Sequence, residues 1–535
     1  MTGNLPKQEV FVFKRNIFIA AIWSLVLVFS VLPSFAQSVD TAWVRRYNGS
    51  GDSTDAALAI AVDDYGNVYV TGKSYSSATD FDYTTIKYYS NGDTAWLRRY
   101  NGPANLWDEA GAIGVDGSGN VCVTGSSRGI GPGNDYADLV TIKYDSSGNE
   151  SWVSRYNGPS VVLPDGGMAL VIDSVNNIYV TGYSYSFGTS YDFLTVKYYP
   201  NGDTTWLRTY DGPGQHDIAY DIAVDGSGSV YVTGYSNGGA TSWEHSDYAT
   251  VKYDPNGNEL WAREYSGPGD SLDWPRAIAA DNFGNVYVTG NSIGSGTLQD
   301  YATIKYDSNG NELWVRRYDG PANSEDNAND IAIDISGDVY VTGASTGSGT
   351  GRDYTTIKYY PNGDTAWVRR YNSPYIQNGY DEGVAIKVDS HGYVFVSGTS
   401  AGFSGAYDYV TIKYDGSGNE LWVGRYSSVD NSWAKDMAID SSGNVYVTGE
   451  SWGSGSNYDY TTIKYVQFLC GDVNNDGVVN VGDAIYILNY LFKHGPVPVP
   501  SMCVGDVNND ELVNIGDAIY ILNYLFKGGP PPDCP

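Results

Sequence analysis

The sequence predicts an all-β fold, an eight-bladed β-propeller with four-stranded antiparallel blades, followed by a small α-helical domain. Three observations lead to this prediction: an eightfold repeat, four strand-like phrases in each repeat, and a duplicated loop and helix near the C-terminus. Repeats of this length with four short strands are typical of propeller blades. The clearest marker of the repeat is a tryptophan that recurs every 53 to 56 residues, at Trp43, Trp96, Trp152, Trp206, Trp261, Trp314, Trp367 and Trp422.

Three phrases follow each Trp phrase: an apolar phrase ending in Asp, one like Val68-Tyr69-Val70-Thr71-Gly72, and one like Thr85-Ile86-Lys87-Tyr88. Alternating β-branched and aromatic residues predict strands. The Asp stands three residues before Gly, or once before Asn176, and both residue types adopt left-handed backbone readily. We therefore expect a hairpin with an Asx-type turn in each repeat. The turn residues are Asp63, Asp116, Asp173, Asp225, Asp281, Asp334, Asp389 and Asp440.

The order of the phrases predicts how the ring closes. The chain opens with a Trp strand near Trp43, and its last repeat ends at Thr462–Tyr465 without a Trp strand. If the Trp strand is the outermost of its blade, the first one has no blade and the last blade lacks its outer strand. Pairing the two removes both exposed edges. We therefore expect the N-terminal strand to complete the eighth blade.

The string from Asp63 to Gly72, Asp-Asp-Tyr-Gly-Asn-Val-Tyr-Val-Thr-Gly, recurs with small changes through residues 40–466. It resembles the bacterial beta-propeller repeats called SBBP, whose units read Asp-x-x-Gly-Asn-x-Tyr-Val-Thr-Gly. The resemblance implies a propeller fold and an extracellular setting, but no reaction. The family name refers to seven blades, whereas this sequence contains eight repeats.

Composition and the N-terminus indicate a secreted protein. The net charge of −31 disfavours nucleic acid and anionic membranes as partners, because both repel an acidic surface. Lys14 and Arg15 precede an apolar run from Ile17 to Leu32, which predicts a signal peptide over residues 1–36 with cleavage after Ala36. An uncleaved anchor is the alternative. No later stretch is long and apolar enough to span a bilayer.

The C-terminal tail contains two candidate calcium loops, residues 472–483 and 506–517. Such a loop needs oxygen ligands at positions 1, 3, 5, 9 and 12, a backbone carbonyl at 7 and Gly at 6. Gly477 meets the last requirement, but Glu511 stands at the same position of the second loop, which makes that site less regular. Two solvated acidic turns are the alternative. The predicted ligands are Asp472, Asn474, Asp476, Val478, Asn480 and Asp483, then Asp506, Asn508, Asp510, Leu512, Asn514 and Asp517.

Each loop runs into a near-identical apolar helix, and a Pro-rich linker separates the two copies. Residues 467–535 thereby resemble a type I dockerin. The resemblance implies calcium binding and docking onto a cohesin-like module of a scaffold or cell-surface protein. Loop positions 10 and 11, where cellulosomal dockerins often carry hydroxyl residues, are Val481-Gly482 and Ile515-Gly516, so a different cohesin-type partner is expected.

Cysteine usage leaves the disulfide pairing open. Cys122 replaces the Tyr of a blade strand, where a small apolar residue would pack, and is expected to be a buried free thiol. The tail holds Cys470, Cys503 and Cys534, of which one pair can form. A Cys470–Cys534 bond would join the two ends of the tail, but spacing alone does not fix the connectivity.

Catalytic motifs are missing from the sequence. The four histidines are scattered, and most acids recur blade after blade, as Asp55 does in seven blades, which favours a bracing role. Loop residues that differ between blades are more informative. Five tryptophans, with neighbours such as Glu109 and Glu244, are candidates for stacking on sugar rings or gripping a peptide, or else they pack between blades. They are Trp107, Trp243, Trp274, Trp433 and Trp452.

These patterns together predict a secreted, non-catalytic binding or display propeller that is anchored through a calcium-dependent dockerin-like module. The alternative is an enzyme of polysaccharide catabolism, a glycoside hydrolase or a polysaccharide lyase, since dockerins often accompany such enzymes. A purely structural surface protein is a third class. Acids confined to one blade and converging on the central channel would favour the enzyme, and a groove lined by the loop tryptophans would favour binding.

Overall fold

The computed structural model describes residues 37–130, 136–160, 163–214, 216–237, 245–269, 271–453, 457–474, 479–499, 502–510, 512–530, 532 and 534. The predicted leader therefore lies outside the described residues. The chain divides into two compact units, Val39–Gln467 and a second one that includes Phe468–Pro535.

Among the described residues, thirty-two strands form eight four-stranded antiparallel sheets, which make up the first unit. Seven sheets follow chain order, from β2-β3-β4-β5 to β26-β27-β28-β29. The eighth has the order β1-β32-β31-β30, so the first strand of the chain is the outer strand of the last blade. This confirms the eight-bladed propeller and its closure by the N-terminal strand.

The inner strand of each blade starts the repeat and the second strand returns antiparallel to it. The inner strands are β2 (Asp55–Val62), β6 (Asp108–Val115), β10 (Gly166–Ile172), β14 (Asp217–Val224), β18 (Asp273–Ala280), β22 (Asp326–Ile333), β26 (Asp381–Val388) and β30 (Ser432–Ile439). The second strands are β3 (Val68–Ser76), β7 (Val121–Arg128), β11 (Ile178–Ser186), β15 (Val230–Asn237), β19 (Val286–Ile293), β23 (Val339–Gly347), β27 (Val394–Ala401) and β31 (Val445–Trp452).

The third and outer strands complete each blade. The third strands are β4 (Asp80–Tyr88), β8 (Ala137–Tyr144), β12 (Ser190–Tyr198), β16 (Ser246–Tyr253), β20 (Gln299–Tyr306), β24 (Gly351–Tyr359), β28 (Tyr407–Tyr414) and β32 (Tyr458–Leu469). The outer strands are β5 (Thr94–Tyr100), β9 (Glu150–Tyr156), β13 (Thr204–Tyr210), β17 (Glu259–Tyr265), β21 (Glu312–Tyr318), β25 (Thr365–Tyr371), β29 (Glu420–Tyr426) and β1 (Gln37–Tyr47).

The turn between inner and second strand is built as the sequence predicts. In the first blade Asp63 accepts a hydrogen bond from the Asn67 N–H at 2.8 Å and another from the Tyr69 hydroxyl at 2.9 Å. Gly66 has a φ of +74°, which a residue with a Cβ adopts only at a cost. These turns lie together on one side of the ring, which we name the uniform face. The loops that lead into the inner strands lie on the opposite side, the variable face.

Adjacent blades are joined through their outer strands. The indole N–H of Trp96 in blade one donates to the Ser146 carbonyl in blade two at 3.2 Å, and its ring packs over Gly148, whose φ is +82°. Trp43 makes the same contact from blade eight to Ser90 of blade one, at 3.1 Å. Among the described residues, the outer tryptophans other than Trp422 therefore join each blade to the next by this hydrogen bond, including at the seam where the ring closes.

The C-terminal unit contains two helices, α1 (Val481–Lys493) and α2 (Ile515–Lys527), and a 3-10 turn at Met502–Gly505. The helices pack on each other around a core that includes Ile487 and Ile521. Within the described part of the chain, neither helix has the length and apolar character needed to cross a membrane.

Candidate functional site

An aromatic cluster on the variable face joins blades seven and eight. The Trp433 ring lies 4.5 Å from that of Tyr407 and 6.2 Å from that of Tyr380, and these two tyrosines are 5.7 Å apart. Trp433 is the second residue of the inner strand β30, Tyr407 begins β28, and Tyr380 precedes β26. All three side chains are half-buried, so each presents part of its ring to solvent. An aromatic surface of this kind can stack on a sugar ring or an apolar side chain.

Polar groups border this aromatic cluster. The Glu382 carboxylate accepts hydrogen bonds from the Tyr380 hydroxyl and, at 2.8 Å, from the Asn329 side chain. The Arg352 guanidinium lies 5.3 Å from the Tyr380 ring centre and 4.0 Å from Glu382. Burial, followed by the Glu382 carboxylate, raises the pKa of Tyr380 well above its usual value, so its hydroxyl stays protonated. Donors and acceptors thus stand beside the rings.

Two other predicted tryptophans, Trp274 and Trp452, lie outside this cluster. Trp274 packs 6.2 Å from Tyr235, under the guanidinium of Arg276, and its buried indole N–H has no hydrogen-bond partner among the described residues. Trp452 meets Tyr458 edge-on at 5.3 Å. These rings pack within and between blades, as the packing alternative expects.

Trp107 is half-buried before the inner strand of blade two, where its carbonyl accepts from the Arg128 N–H at 3.3 Å. Its neighbour Glu109 forms an ion pair with Lys73 at 2.8 Å. Trp243 and Glu244 lie outside the described residues. The sequence therefore identified one member of the aromatic cluster, and the tyrosines that complete it were missed because tyrosine is common throughout the chain.

Three carboxylates from alternate blades occupy equivalent positions in the inner ring of strands. Asp221, Asp330 and Asp436 occupy the same position of β14, β22 and β30, directly after a β-bulge. Blades one, two, three, five and seven have Ala there, and that contrast between small and acidic residues was available in the sequence. The acids come from three blades, not one.

Each of these carboxylates joins two blades. Asp221 accepts from the N–H of Ile222 at 2.8 Å and from the N–H of Ile278, in blade five, at 2.9 Å. Asp330 makes the equivalent contacts to Ile331 and Ile386, both at 2.8 Å. Because both oxygens of each carboxylate are engaged by backbone, the arrangement braces neighbouring inner strands rather than presenting a free general base.

Lys387 of blade seven supplies a positive charge among the three acids. Its ammonium group lies 3.5 Å from Asp330, and 41 % of its side-chain surface remains accessible in the channel. Asp330 is the main cause of a raised Lys387 pKa, and Asp436 and Asp221 act in the same direction. Burial raises the pKa of Asp221 to about 7 and also raises that of Asp436.

The two candidate calcium loops cap the helices of the C-terminal unit in the same way. Asp483 accepts from the N–H of Val473 at 3.0 Å and from that of Asn480 at 2.8 Å. Asp517 does the same with Val507, at 2.9 Å, and Asn514, at 2.8 Å. Both are capping boxes at the start of a helix. The last predicted ligand of each loop is therefore fixed in place by backbone.

The second loop brings its predicted oxygen ligands together. Asp510 contacts Asn508 at 3.0 Å and Asn514 at 3.4 Å, and its backbone N–H donates to Asp506 at 3.0 Å. The Leu512 carbonyl accepts from Asn514 at 3.3 Å. Such a set of oxygens is the donor type that Ca²⁺ prefers.

Burial raises the pKa of Asp517, and the charges of Asp506 and Asp510 add to the shift. A cation would relieve this crowding of like charges. In the first loop Asp472 is buried, and Asn474 and Asn480 are described, whereas Asp476 and Val478 lie outside the described residues, as does Glu511 of the second loop.

Both helices expose an apolar stripe. Its members repeat at equivalent positions of α1 and α2 and are between 38 and 69 % exposed. Spacings of four and seven residues place them on one side of a helix. They are Val481, Ile485 and Phe492 on α1, and Ile515, Ile519 and Phe526 on α2.

A disulfide links Cys470 to Cys534, whose Cα atoms are 5.6 Å apart, and Cys122 is a buried free thiol. Burial raises the pKa of Cys122 to about 12, so it is an unreactive thiol at neutral pH. The side chain of Cys503 lies outside the described residues.

The fold and its repeats define the class of this protein, an eight-bladed β-propeller with a small two-helix C-terminal unit. Five segments match the family described as SBBP, beta-propeller repeat: residues 42–81, 206–239, 260–296, 314–349 and 427–455. These matches support the SBBP-type interpretation of the repeats.

A curated relative is an uncharacterised WD repeat-containing protein of Acanthamoeba polyphaga mimivirus, 23 % identical over 493 residues. The alignment covers 74 % of this chain but 33 % of the relative, so the chain spans about a third of that protein's length.

Solved structures with a similar arrangement include Sqt1 from Chaetomium thermophilum, with a TM-score of 0.49, 10 % identity and coverage of 80 % of this chain and 99 % of Sqt1. The WD40 domain of SCAP from fission yeast has a TM-score of 0.42 and 8 % identity, covering 80 % and 98 %. A polysaccharide lyase, a PL25 ulvan lyase, has a TM-score of 0.36 and 12 % identity, covering 65 % and 90 %. At these TM-scores the similarities carry no functional information.

Proposed function

We propose that this protein is a secreted, non-catalytic binding or display propeller, anchored to a cohesin-like partner through a calcium-dependent, dockerin-like C-terminal unit. The observation that carries the proposal is the duplicated loop and helix. Both copies hold their last acidic residue in the same capping geometry, and both expose the same apolar stripe.

The apolar stripes support a docking role. Side chains such as Ile485, Phe492, Ile519 and Phe526 are at least half exposed. Keeping apolar surface in water costs about 25 cal/mol per Å² relative to burying it, so a partner that covers the stripe gains that free energy. Because the stripe occurs on both helices, either one offers a partner the same side chains.

Calcium would control this docking through the loops. Asp506, Asp510 and Asp517 concentrate negative charge at the start of α2, and a bound cation would offset their repulsion. Bound calcium would then fix the position of the two helices relative to each other, with their apolar stripes exposed to the partner. Asp472 and Asp483 would serve α1 in the same way.

The arrangement of the channel supports a role without catalysis. In both Asp221 and Asp330, one oxygen accepts from the next residue of its own strand and the other accepts from a backbone N–H of the neighbouring blade, so both oxygens are occupied as structural acceptors. A general base needs a carboxylate oxygen within reach of a substrate proton. The aromatic cluster around Trp433 is better suited to hold a carbohydrate or peptide ligand.

Calorimetric titration of calcium into the metal-stripped full-length protein tests the anchoring proposal, with Asp510→Asn and the matched Asp64→Asn as variants. Asp510 is a predicted ligand, and Asp64 is an exposed propeller residue. We expect the wild type and Asp64→Asn to bind calcium with a gain of helical circular dichroism, and Asp510→Asn to lose one site. If stripping and restoring calcium changed neither heat nor helix content, and Asp510→Asn behaved as wild type, the docking proposal would be wrong.

A further inference from the structure

A repeated ion pair balances charge at the junctions between blades. An Asp on the third strand lies near the Asp that begins the next blade's inner strand, and an Arg from the outer strand neutralises it. The Arg occupies the same position in six blades, with nitrogen–oxygen distances between 2.6 and 3.2 Å. The pairs are Arg46–Asp459, Arg99–Asp82, Arg155–Asp138, Arg317–Asp300, Arg370–Asp353 and Arg425–Asp408.

Two blades lack this Arg. Blade four has Glu264 at the position, and blade three has Thr209. In blade three a further acid is added, because Asp211 follows the outer strand where four other blades have Asn. Asp192, Asp211 and Asp217 consequently bring one carboxylate oxygen each to within 4.8 Å of one another.

Two of these acids are buried, and one of them lacks a hydrogen bond that its counterpart makes. Asp217 is fully buried, and its Oδ1 atom has no hydrogen-bond partner among the described residues, whereas the Oδ1 atom of Asp326, at the equivalent position of blade six, accepts from the Thr346 N–H at 2.9 Å. Asp192 is 4 % exposed, and its Oδ1 atom is also without a partner among the described residues, as is that of the Arg-paired Asp300. A buried carboxylate oxygen without a partner is costly. Burial is the main cause of the raised pKa of both groups, and Asp211 raises each further.

A second cluster in the same ring provides an internal comparison. Asp300, Asp319 and Asp326, between blades five and six, occupy the equivalent positions of the repeat. They also bring one carboxylate oxygen each to within 4.8 Å of one another. There the Arg is present, and the guanidinium of Arg317 lies 2.7 Å from Asp300. The chain thus supplies its own cation to one cluster and, among the described residues, no Arg or Lys ion pair to the other.

We propose that Asp192, Asp211 and Asp217 form a calcium site at the junction of blades three and four, with Ca²⁺ in place of the missing Arg. Ca²⁺ binds oxygen ligands at about 2.4 Å, so oxygens on opposite sides of the ion are about 4.8 Å apart. Carboxylates without nitrogen or sulfur donors favour Ca²⁺ over Zn²⁺. Asp211 is exposed, which opens the site to ions from solvent.

The test measures calcium stoichiometry on the metal-stripped full-length protein by isothermal titration calorimetry. Thr209→Arg installs the residue that six blades already have, and Asp211→Asn installs the residue of four blades, so both are compatible with the fold. Asp319→Asn is the matched control in the cluster that Arg317 balances. We expect Thr209→Arg and Asp211→Asn each to lose one bound Ca²⁺ relative to wild type, and Asp319→Asn to lose none.

Equal stoichiometry in wild type, Thr209→Arg and Asp211→Asn would overturn the propeller site, as would an equal loss in Asp319→Asn. This outcome is independent of the C-terminal loops, because all four proteins carry them unchanged and only the difference is scored. Loss of the loop sites is reported separately by Asp510→Asn, so failure of either proposal can be recognised.

Discussion

The carboxylate of Asp436, in the last blade, accepts a hydrogen bond at 3.0 Å from the backbone N–H of Ile60, in the first. Its other oxygen accepts from the N–H of Met437 at 2.7 Å, next in the same strand. Asp436 therefore fixes the inner strands across the seam, as the outer strand β1 does at the rim. Asp330 repeats this contact two blades earlier, and Asp221 repeats it four blades earlier.

Asp436→Ala should weaken the closed ring. It leaves the buried N–H of Ile60 without its acceptor, and losing a hydrogen bond to a charged group costs about 1.5 to 3 kcal/mol. We expect a decrease of that size in the free energy of unfolding, measured by guanidinium denaturation of the propeller. Asp64→Ala, an exposed acid on a uniform-face turn, should change it by less than about 0.5 kcal/mol. Equal effects of the two substitutions would contradict a bracing role.

The raised pKa of Asp221 predicts a pH dependence of stability. Its pKa of about 7 in the folded protein exceeds the usual 3.8, so the folded state binds the proton more tightly than the unfolded state. This contribution is fully present below about pH 4 and is lost as pH rises to about 7. Burial is the main cause of the raised Asp221 pKa; the charge of Asp330 adds to it, and the charge of Lys387 and the backbone hydrogen bonds from Ile278 and Ile222 oppose it.

Asp221→Asn removes this titration. The unfolding free energies of wild type and variant are compared from pH 4 to pH 8. We expect the wild type to lose stability relative to the variant as pH rises, and the difference to level off above about pH 7. A difference that does not vary with pH would show that Asp221 keeps an ordinary pKa.

The Cys470–Cys534 disulfide should stabilise the C-terminal unit alone. It closes a separation of 64 residues, and the chain-entropy estimate for a loop of that length is about 4 kcal/mol. The double variant Cys470→Ser/Cys534→Ser should lower the thermal transition of the C-terminal unit in calorimetry and leave the propeller transition in place. A reductant should reproduce this change in wild type and add nothing to the variant.

Trp433→Ala should impair ligand binding if the aromatic cluster is the binding surface. Affinity electrophoresis in gels containing soluble polysaccharides measures retardation directly. We expect at least a tenfold loss of affinity for any retarding polysaccharide, because the stacking surface and the contact with Tyr407 are removed. Trp274→Ala, whose ring packs on Tyr235 in other blades, should bind as wild type. Equal losses would exclude the cluster as the site.

The blade number, strand order and seam were predictable because each rests on a pattern repeated eight times. The contacts between blades were not. Asp221 and Ile278 are 57 residues apart, and their contact depends on where a β-bulge turns the carboxylate. A single sequence shows that Asp replaces Ala at that position, but the direction of the side chain follows from the three-dimensional ring.

The same limit applies to the binding surfaces. Trp433 stands out in the sequence, whereas Tyr380 and Tyr407 are two among 48 tyrosines. The significance of Thr209 depends on the six equivalent Arg side chains, each of which is paired with an Asp. In both cases the signal is a departure from the repeat, and its meaning depends on which neighbouring blade the residue faces.

Arg46 and Asp459 form an ion pair although 413 residues separate them. At about 5 to 20 residues per second, a ribosome needs roughly 20 to 80 s to synthesise that interval. During this time β1 has no partner strand, and its hydrogen-bonding edge is open to other chains. Blades one to seven can pair their own strands as they emerge. Every newly made molecule therefore passes through an unclosed ring of blades, in which the first-synthesised strand, β1, is the one exposed to unwanted pairing.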